Sequence, residues 1–269
     1  MKNKFWILLA RRGLNFAVSK VKNFLVYLGG LTILFYRSIF WLFSPSSRKR
    51  QILEQMNVIG VASFPIVVLI SFFTGMVLAL QSAYQMQKMS AEMYIASLVA
   101  LSLTRELGPV LTGLIVAGRC GAAISAELGT MKVTEQVDAL ESMSMNPVHY
   151  LVVPRLFAMI LMVPLLTIYA DFFGILGGYI IGVGRLNITS AMYIKMTWDP
   201  LAVKDVITGL IKSVSFAGII CLVSCFEGLN SEGGAEGVGK ATTSSVVRSF
   251  ILIIIADCFF TALFYFIMY

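Results

Sequence analysis

Residues 58–80 contain no charged side chain, and that run constrains the fold more than any other feature of the chain. A bilayer core of about 30 Å is crossed by about 20 helical residues. Four more runs approach the same pattern. Residues 93–118 are interrupted only by Arg105 and Glu106, 156–184 by Asp171, 206–226 by Lys212 and 249–269 by Asp257. Hydrocarbon offers backbone N–H and C=O groups no partner, so an apolar run of this length satisfies them internally as a helix. Only 13% of the residues are charged, against about 25% in soluble domains, so the chain lacks the coat a soluble enzyme needs. A disulfide scaffold, a coiled coil and a disordered tail are excluded on the same grounds. The expectation is an all-α membrane protein of about five transmembrane helices.

Charge placement orients it. Residues 1–50 hold ten bases (Lys2, Lys4, Arg11, Arg12, Lys20, Lys22, Arg37, Arg48, Lys49, Arg50) and no acid. A basic arm on a membrane protein reads as a cytoplasmic segment on anionic lipid rather than a nucleic-acid site. Residues 24–43 are long enough to span, yet Gly29, Gly30 and Arg37 interrupt them. Spanning there would also put one basic cluster outside, against the positive-inside rule. Residues 1–43 are therefore expected to be an interfacial or re-entrant helix, with 1–45 a basic segment and 46–269 the membrane domain. Loops 44–57, 119–155 and 227–248 then face the cytoplasm with eight Lys/Arg, against four in 81–92 and 185–205. The N-terminus is expected in the cytoplasm and the C-terminus outside.

Chemistry is sought first at Arg105-Glu106. Charges at mid-membrane are costly and mark functional sites by default. Neighbours on a helix point about 100° apart, so at least one of the two needs another partner or a wet cavity. Pro109 should weaken the helix there and free a carbonyl. The plainer alternative is a structural pair at a helix contact, and for Asp171 and Asp257 structural hydrogen bonding is the leading reading. Residues 127–141 carry a helical apolar pattern at Leu128, Met131, Val133, Val137 and Leu140, with four acids and one Lys. An amphipathic acidic helix in a cytoplasmic loop suits docking to a partner's basic groove. Residues 234–241 imitate a phosphate-binding loop, but Ala241 stands where Ser or Thr would bind magnesium, and a flexible glycine-rich turn is expected. Cys120, Cys221, Cys225, Cys258 and the single His149 form no metal-ligand pattern. No nucleophile–base pair appears.

Several runs together resemble the MlaE/YrbE family of ABC-transporter permeases. They are residues 98–110 (LVALSLTRELGPV), 117–119 (AGR) and 126–140 (AELGTMKVTEQVDAL), with 75–81 (GMVLALQ), Asn146-Pro147, Pro154-Arg155 and 239–243 (GKATT). The likeness runs from about residue 50 to the C-terminus; residues 1–45 carry none of it. The resemblance implies a homodimeric permease of the bacterial inner membrane bound to two cytoplasmic ABC ATPase subunits, with a periplasmic MCE-domain lipid-binding protein outside. It implies transport of phospholipid or a related lipid between inner and outer membranes. ATP and magnesium would sit on the ATPase, and no cofactor on this chain. By the same resemblance Leu78, Gln81, Tyr84, Arg105 and Glu106 would line the lipid pocket. Glu127, Gly129, Thr134, Glu135, Gln136, Asp138 and Leu140 would form the coupling helix. A proton-coupled secondary transporter using Arg105-Glu106, Asp171 and Asp257 is the alternative, and a non-transporting scaffold a third.

Overall fold

A computed structural model describes residues 22, 25–41, 49–89 and 91–268. The described residues are mostly helical, with no strand among them. Five helices are long and apolar enough to cross a membrane: α2 (Lys49–Gln87), α3 (Glu92–Val133), α5 (Val148–Gly184), α7 (Val203–Leu229) and α8 (Gly234–Ile267). Shorter helices fill the sequence between them: α1 (Leu25–Trp41) before α2, α4 (Gln136–Ser142) between α3 and α5, and α6 (Ser190–Trp198) between α5 and α7. The five expected spans are present, each helix longer than the apolar run read from the sequence, because the helices continue into polar residues at their ends.

α5 is the centre of the bundle. In its most apolar stretch 67% of residues are buried, against 22% in α2 and 6% in α8. The last two therefore present apolar faces outward, including Leu69, Phe73 and Val77 on α2 and Ile251, Ile255 and Phe259 on α8. α2 meets α5 through small side chains. Its buried positions Ser71, Gly75, Ala79 and Ala83 recur every four residues and so share one face. A Cβ on Gly75 would lie 1.8 Å from the Gly174 carbonyl oxygen, and one on Gly177 2.2 Å from that of Phe72. Close backbone approach through small residues is how helices associate where the hydrophobic effect is absent.

α2 bends where Gly60 leads into a 3-10 turn, Val61–Ser63, followed by Pro65 in the first turn of the continuing helix. Arg119 repairs the break: its guanidinium donates to the Val58 carbonyl (3.1 Å) and to Ser63 Oγ (2.7 Å). Arg119 itself sits in a π-helical turn of α3, Ala117–Gly121.

The N-terminal helix is present as α1. Gly30 lets the Phe226 ring approach, Tyr27 packs edge-on against the same ring at 5.1 Å, and Trp41 lies 4.7 Å from the His149 ring. The Arg248 guanidinium, paired with Glu227, stands 4.3 Å from the Tyr27 ring centroid. Phe226, Glu227 and His149 lie in the terminal turns of α7 and α5, so α1 packs across one end of the bundle. The expected helix over 1–43 otherwise lies outside the described residues, as do Lys2, Lys4, Arg11, Arg12, Lys20 and Arg48.

Two local expectations are corrected. Residues 234–241 are not a flexible turn: they form the first turns of α8, with Glu236 and Lys240 paired one turn apart at 2.7 Å. The reversal lies at the start of this helix, where Gly233 and Gly234 take φ of 88° and 70°, a region glycine enters without strain. Residues 127–141 are not one helix. Glu127–Val133 is the end of α3, and the chain breaks at Thr134 and Glu135, the latter with φ 60°, before α4 begins.

Candidate functional site

The site begins with a register change in α3. Leu103–Leu107 is a π-helical turn in which the Gly108 N–H reaches back to the Leu103 carbonyl. Such insertions cluster at functional positions. Pro109 follows and brings no N–H of its own. The Thr104 carbonyl lies so close to α7 that a Cβ on Gly209 would stand 2.3 Å from it. The widened turn carries Arg105 and Glu106, and each finds a partner on another helix.

Arg105 pairs with Asp205 through both Nε and Nη2, each 2.9 Å from Oδ1. Asp205 sits in the first turn of α7, where its other oxygen accepts the Ala202 N–H at 3.0 Å. A carboxylate there satisfies an orphan amide and complements the helix dipole. Glu106 accepts from Lys212 at 2.6 Å, and Lys212 also donates to Asp257 (2.9 Å) and to Thr261 Oγ1 (2.7 Å). Thr261 in turn donates to Glu106, 3.1 Å from Oε1. Asp257 and Thr261 lie one turn apart on α8 and so face α7 and α3 together. Lys212 is 1% exposed, whereas the Glu106 side chain keeps 40% exposure and that of Arg105 35%.

A buried ammonium is tolerated only when paired and fully hydrogen-bonded, and Lys212 has three acceptors for three protons. With Lys204, the cavity beside these residues, about 120 Å³ in volume, is bordered by Arg105, Glu106, Asp205 and Lys212. Three cations and three carboxylates, counting Asp257, make the cluster neutral in sum. Its open side presents Arg105 and Glu106. The Arg105 guanidinium could attract a phosphate by its charge, and Glu106 could meet an ammonium or hydroxyl.

The structure thus separates the five expected pocket residues. Arg105 and Glu106 share the cavity. Leu78, Gln81 and Tyr84 on α2 do not border it: Leu78 packs against the cluster of Ala79, Val99 and Leu103, and Gln81 and Tyr84 are exposed. Lys88 donates to the Tyr84 hydroxyl at 3.3 Å. Asp257, expected to be a structural hydrogen-bonding group, is the second carboxylate on Lys212. Asp205 was not foreseen, and Lys212 was seen only as an interruption of its span; a charge within an apolar run was the available signal for Lys212.

At the far end of α3 lie the expected coupling residues. Glu127 pairs with Arg155, which is 3% exposed and also donates to the Leu151 carbonyl. Gly129 accepts from Ser231 Oγ at 3.2 Å. Thr134, Glu135, Gln136 and Asp138 are exposed; Val137 is buried and Leu140 packs against the core. Lys132 and Asp138 close the bend between α3 and α4 at 2.7 Å.

Five membrane-length helices around an interhelical charge cluster define a multi-pass helical membrane protein with a polar site inside its transmembrane bundle. The family described as Permease MlaE matches residues 52–263, and the chain belongs to it. A probable ABC transporter permease protein of Rickettsia typhi is 52% identical over 212 residues, covering 79% of this chain and 82% of its own length. A probable ABC transporter permease protein of Synechocystis is 42% identical over 211 residues, 78% and 80% of the two chains. The intermembrane phospholipid transport system permease protein MlaE of Haemophilus influenzae is 37% identical over 255 residues, 90% and 98% of the two chains. The chain is an ABC-transporter permease of the MlaE family.

Proposed function

We propose that this permease moves phospholipid or a related lipid between the inner and outer membranes, as a homodimer driven by two cytoplasmic ATPase subunits and served outside by an MCE-domain lipid-binding protein. ATP and magnesium act on the ATPase, and this chain is no enzyme and carries no cofactor. The observation that carries the reading is the cluster on the π turn: a guanidinium and a carboxylate, both partly open, are held within an apolar bundle by Asp205 and by the buried Lys212. Gln81 and Tyr84 are exposed on α2 and Leu78 is half-buried beside them, and a second copy would have to approach α2 for all five residues to share one pocket.

Coupling follows from the same geometry. The break before α4 and α4 itself offer exposed acids, Glu135 and Asp138, to a basic groove. Arg155 and Ser231 fasten the neighbouring turn of α3 to α5 and to the end of α7. A push on α4 is thereby carried into α3, on which Glu106 lies about 30 Å away at 1.5 Å per residue. The N-terminus and α4 face the cytoplasm and the C-terminus the periplasm.

Glu135→Lys with Asp138→Lys is expected to release the ATPase while leaving the permease folded, since surface substitutions change stability by about 0.5 kcal/mol each. Co-purification from membranes, with a melting curve of the permease, measures both; ATPase retained at normal stoichiometry contradicts the docking role. The carboxylates on Lys212 would equally serve proton coupling, so transport is measured in vesicles with the proton gradient collapsed. ATP-dependent transport persisting there supports the ATPase-driven reading, and loss of transport favours the secondary transporter.

A further inference from the structure

α2 changes direction at one place, and α3 holds it there. The amphipathic segment Lys49–Ile59 leads into Gly60 and the 3-10 turn Val61–Ser63, and the apolar helix Phe64–Gln87 follows with Pro65 in its first turn. A 3-10 turn between two helical segments, with Gly and Pro beside it, is where a helix can flex. The elbow is closely packed: a Cβ on Gly60 would stand 1.8 Å from Met162 Cε of α5. Before the elbow, Gln51 donates to the Tyr150 carbonyl at 3.2 Å, which ties Lys49–Ile59 to the start of α5.

One atom spans the break. Arg119 Nη1 donates to the Val58 carbonyl on its near side (3.1 Å) and to Ser63 Oγ on its far side (2.7 Å). The next residue, Cys120, places Sγ 3.3 Å from the same hydroxyl. Ser63 is fully buried, whereas Val58 and Arg119 are exposed. An exposed carbonyl at a helix break can be satisfied by water, so a charged donor is not needed for that. What water cannot do is fasten both sides of the break to a third helical segment.

The place of Arg119 in α3 gives the contact its meaning. It lies about midway between Glu106 and the end of the helix at Val133, in the π-helical turn Ala117–Gly121, and such turns cluster at functional positions. A displacement entering α3 from α4 therefore meets the elbow before it meets the charge cluster. Beyond the elbow, the same α2 carries Leu78, Gln81 and Tyr84. Resting on the ATPase-driven transport proposed above, we propose that Arg119 is a positioning residue for transport: through Val58 and Ser63 it passes the movement of α3 to the span of α2, so that the charge cluster and the α2 side of the pocket shift together. The task belongs to the link and not to the charge, and any bond that keeps α3 fastened to the elbow serves it.

The test uses the transporter assembled with its ATPase in phospholipid vesicles and reads lipid moved per ATP hydrolysed, beside a melting curve. Arg119→Met keeps an unbranched stem without donors. It is expected to hydrolyse ATP at the wild-type rate and to move about tenfold less lipid per ATP, the scale of one charge-assisted hydrogen bond. Arg119→Lys, which retains a charged donor, is expected to recover most of the loss. A purely structural role would lower the melting temperature, and hydrolysis and transport with it, leaving their ratio unchanged. The decisive variant restores the link without the cation. Ser63→Cys faces the native Cys120 across a gap of 3.3 Å. Copper-phenanthroline with oxygen joins the two thiols and dithiothreitol reopens them, in a Cys258→Ser background that removes the exposed thiol. In Arg119→Met with Ser63→Cys, oxidation is expected to return lipid per ATP toward wild type and reduction to lower it again, with the bridge mapped on peptides. Wild-type lipid per ATP in Arg119→Met overturns the proposal, as does a mapped bridge that brings no recovery. A bridge that stops transport while Arg119 is present also overturns it, because α3 and the elbow would then have to separate during turnover. A wild-type transporter that moves no lipid with ATP contradicts the proposed function itself and is recognised before any variant is made.

Discussion

Lys212→Met is expected to destabilise the permease by about 3–5 kcal/mol, the cost of removing one partner from a buried charge pair. The side chain is 2% exposed and stands between Glu106 and Asp257, so methionine leaves two carboxylates facing each other. The 40% exposure of Glu106 lets water relieve one of them, which sets the expectation near the lower end of that range. The triple variant Glu106→Gln, Lys212→Met, Asp257→Asn removes all three charges and is expected to recover most of the loss, because neutralising a whole buried cluster is far less costly than breaking it. Thermal unfolding of the purified protein measures both. A triple variant as unstable as Lys212→Met would mean that lost packing, not uncompensated charge, causes the effect. Transport should fail in both variants.

Gly75→Val is expected to cost about as much by another route. Even a Cβ there would meet the Gly174 carbonyl oxygen at 1.8 Å, a distance only separation of α2 from α5 can relieve. Overpacking a fitted core costs about 1–3 kcal/mol and sometimes more, and here the obstacle is backbone that no rotamer change can move. Because Gly174 in turn packs on Leu103, at the head of the π turn, the disturbance reaches the charge cluster. Loss of folded protein, read by size-exclusion and melting, is the expected result. Wild-type stability of Gly75→Val would contradict the close α2–α5 crossing.

The five spans were legible because charge is scarce where hydrocarbon must be met, and Arg105-Glu106 stood out for the same reason. Their partners were not legible. Asp205 and Lys212 lie about a hundred residues along the chain from them, and no local pattern records which helix faces which. The 100° between adjacent side chains did imply partners elsewhere, and the two residues do diverge, to Asp205 and to Lys212. The break at Thr134–Glu135 was hidden because the apolar spacing carries on across it, and periodicity does not register one left-handed residue. The glycines of 234–241 outweighed a signal that was present, Glu236 four residues before Lys240, a pair that supports helix. Ser71, Gly75, Ala79 and Ala83, small side chains every fourth residue, are a signal of close helix packing that the sequence reading did not use, and it does not say which helix they meet.

The most direct measurement is lipid transport by Glu106→Gln in the assembled transporter, with a photo-crosslinker placed in turn at Leu78, Gln81 and Tyr84. Glutamine keeps an oxygen for Lys212 and Thr261, so a purely structural cluster should tolerate it. A lipid path through this site predicts normal assembly with the ATPase, transport reduced about tenfold, equivalent to about 1.4 kcal/mol in the barrier, and phospholipid captured at one or more of the three α2 positions. Wild-type transport by Glu106→Gln, together with no lipid adduct at any of the three, would contradict it.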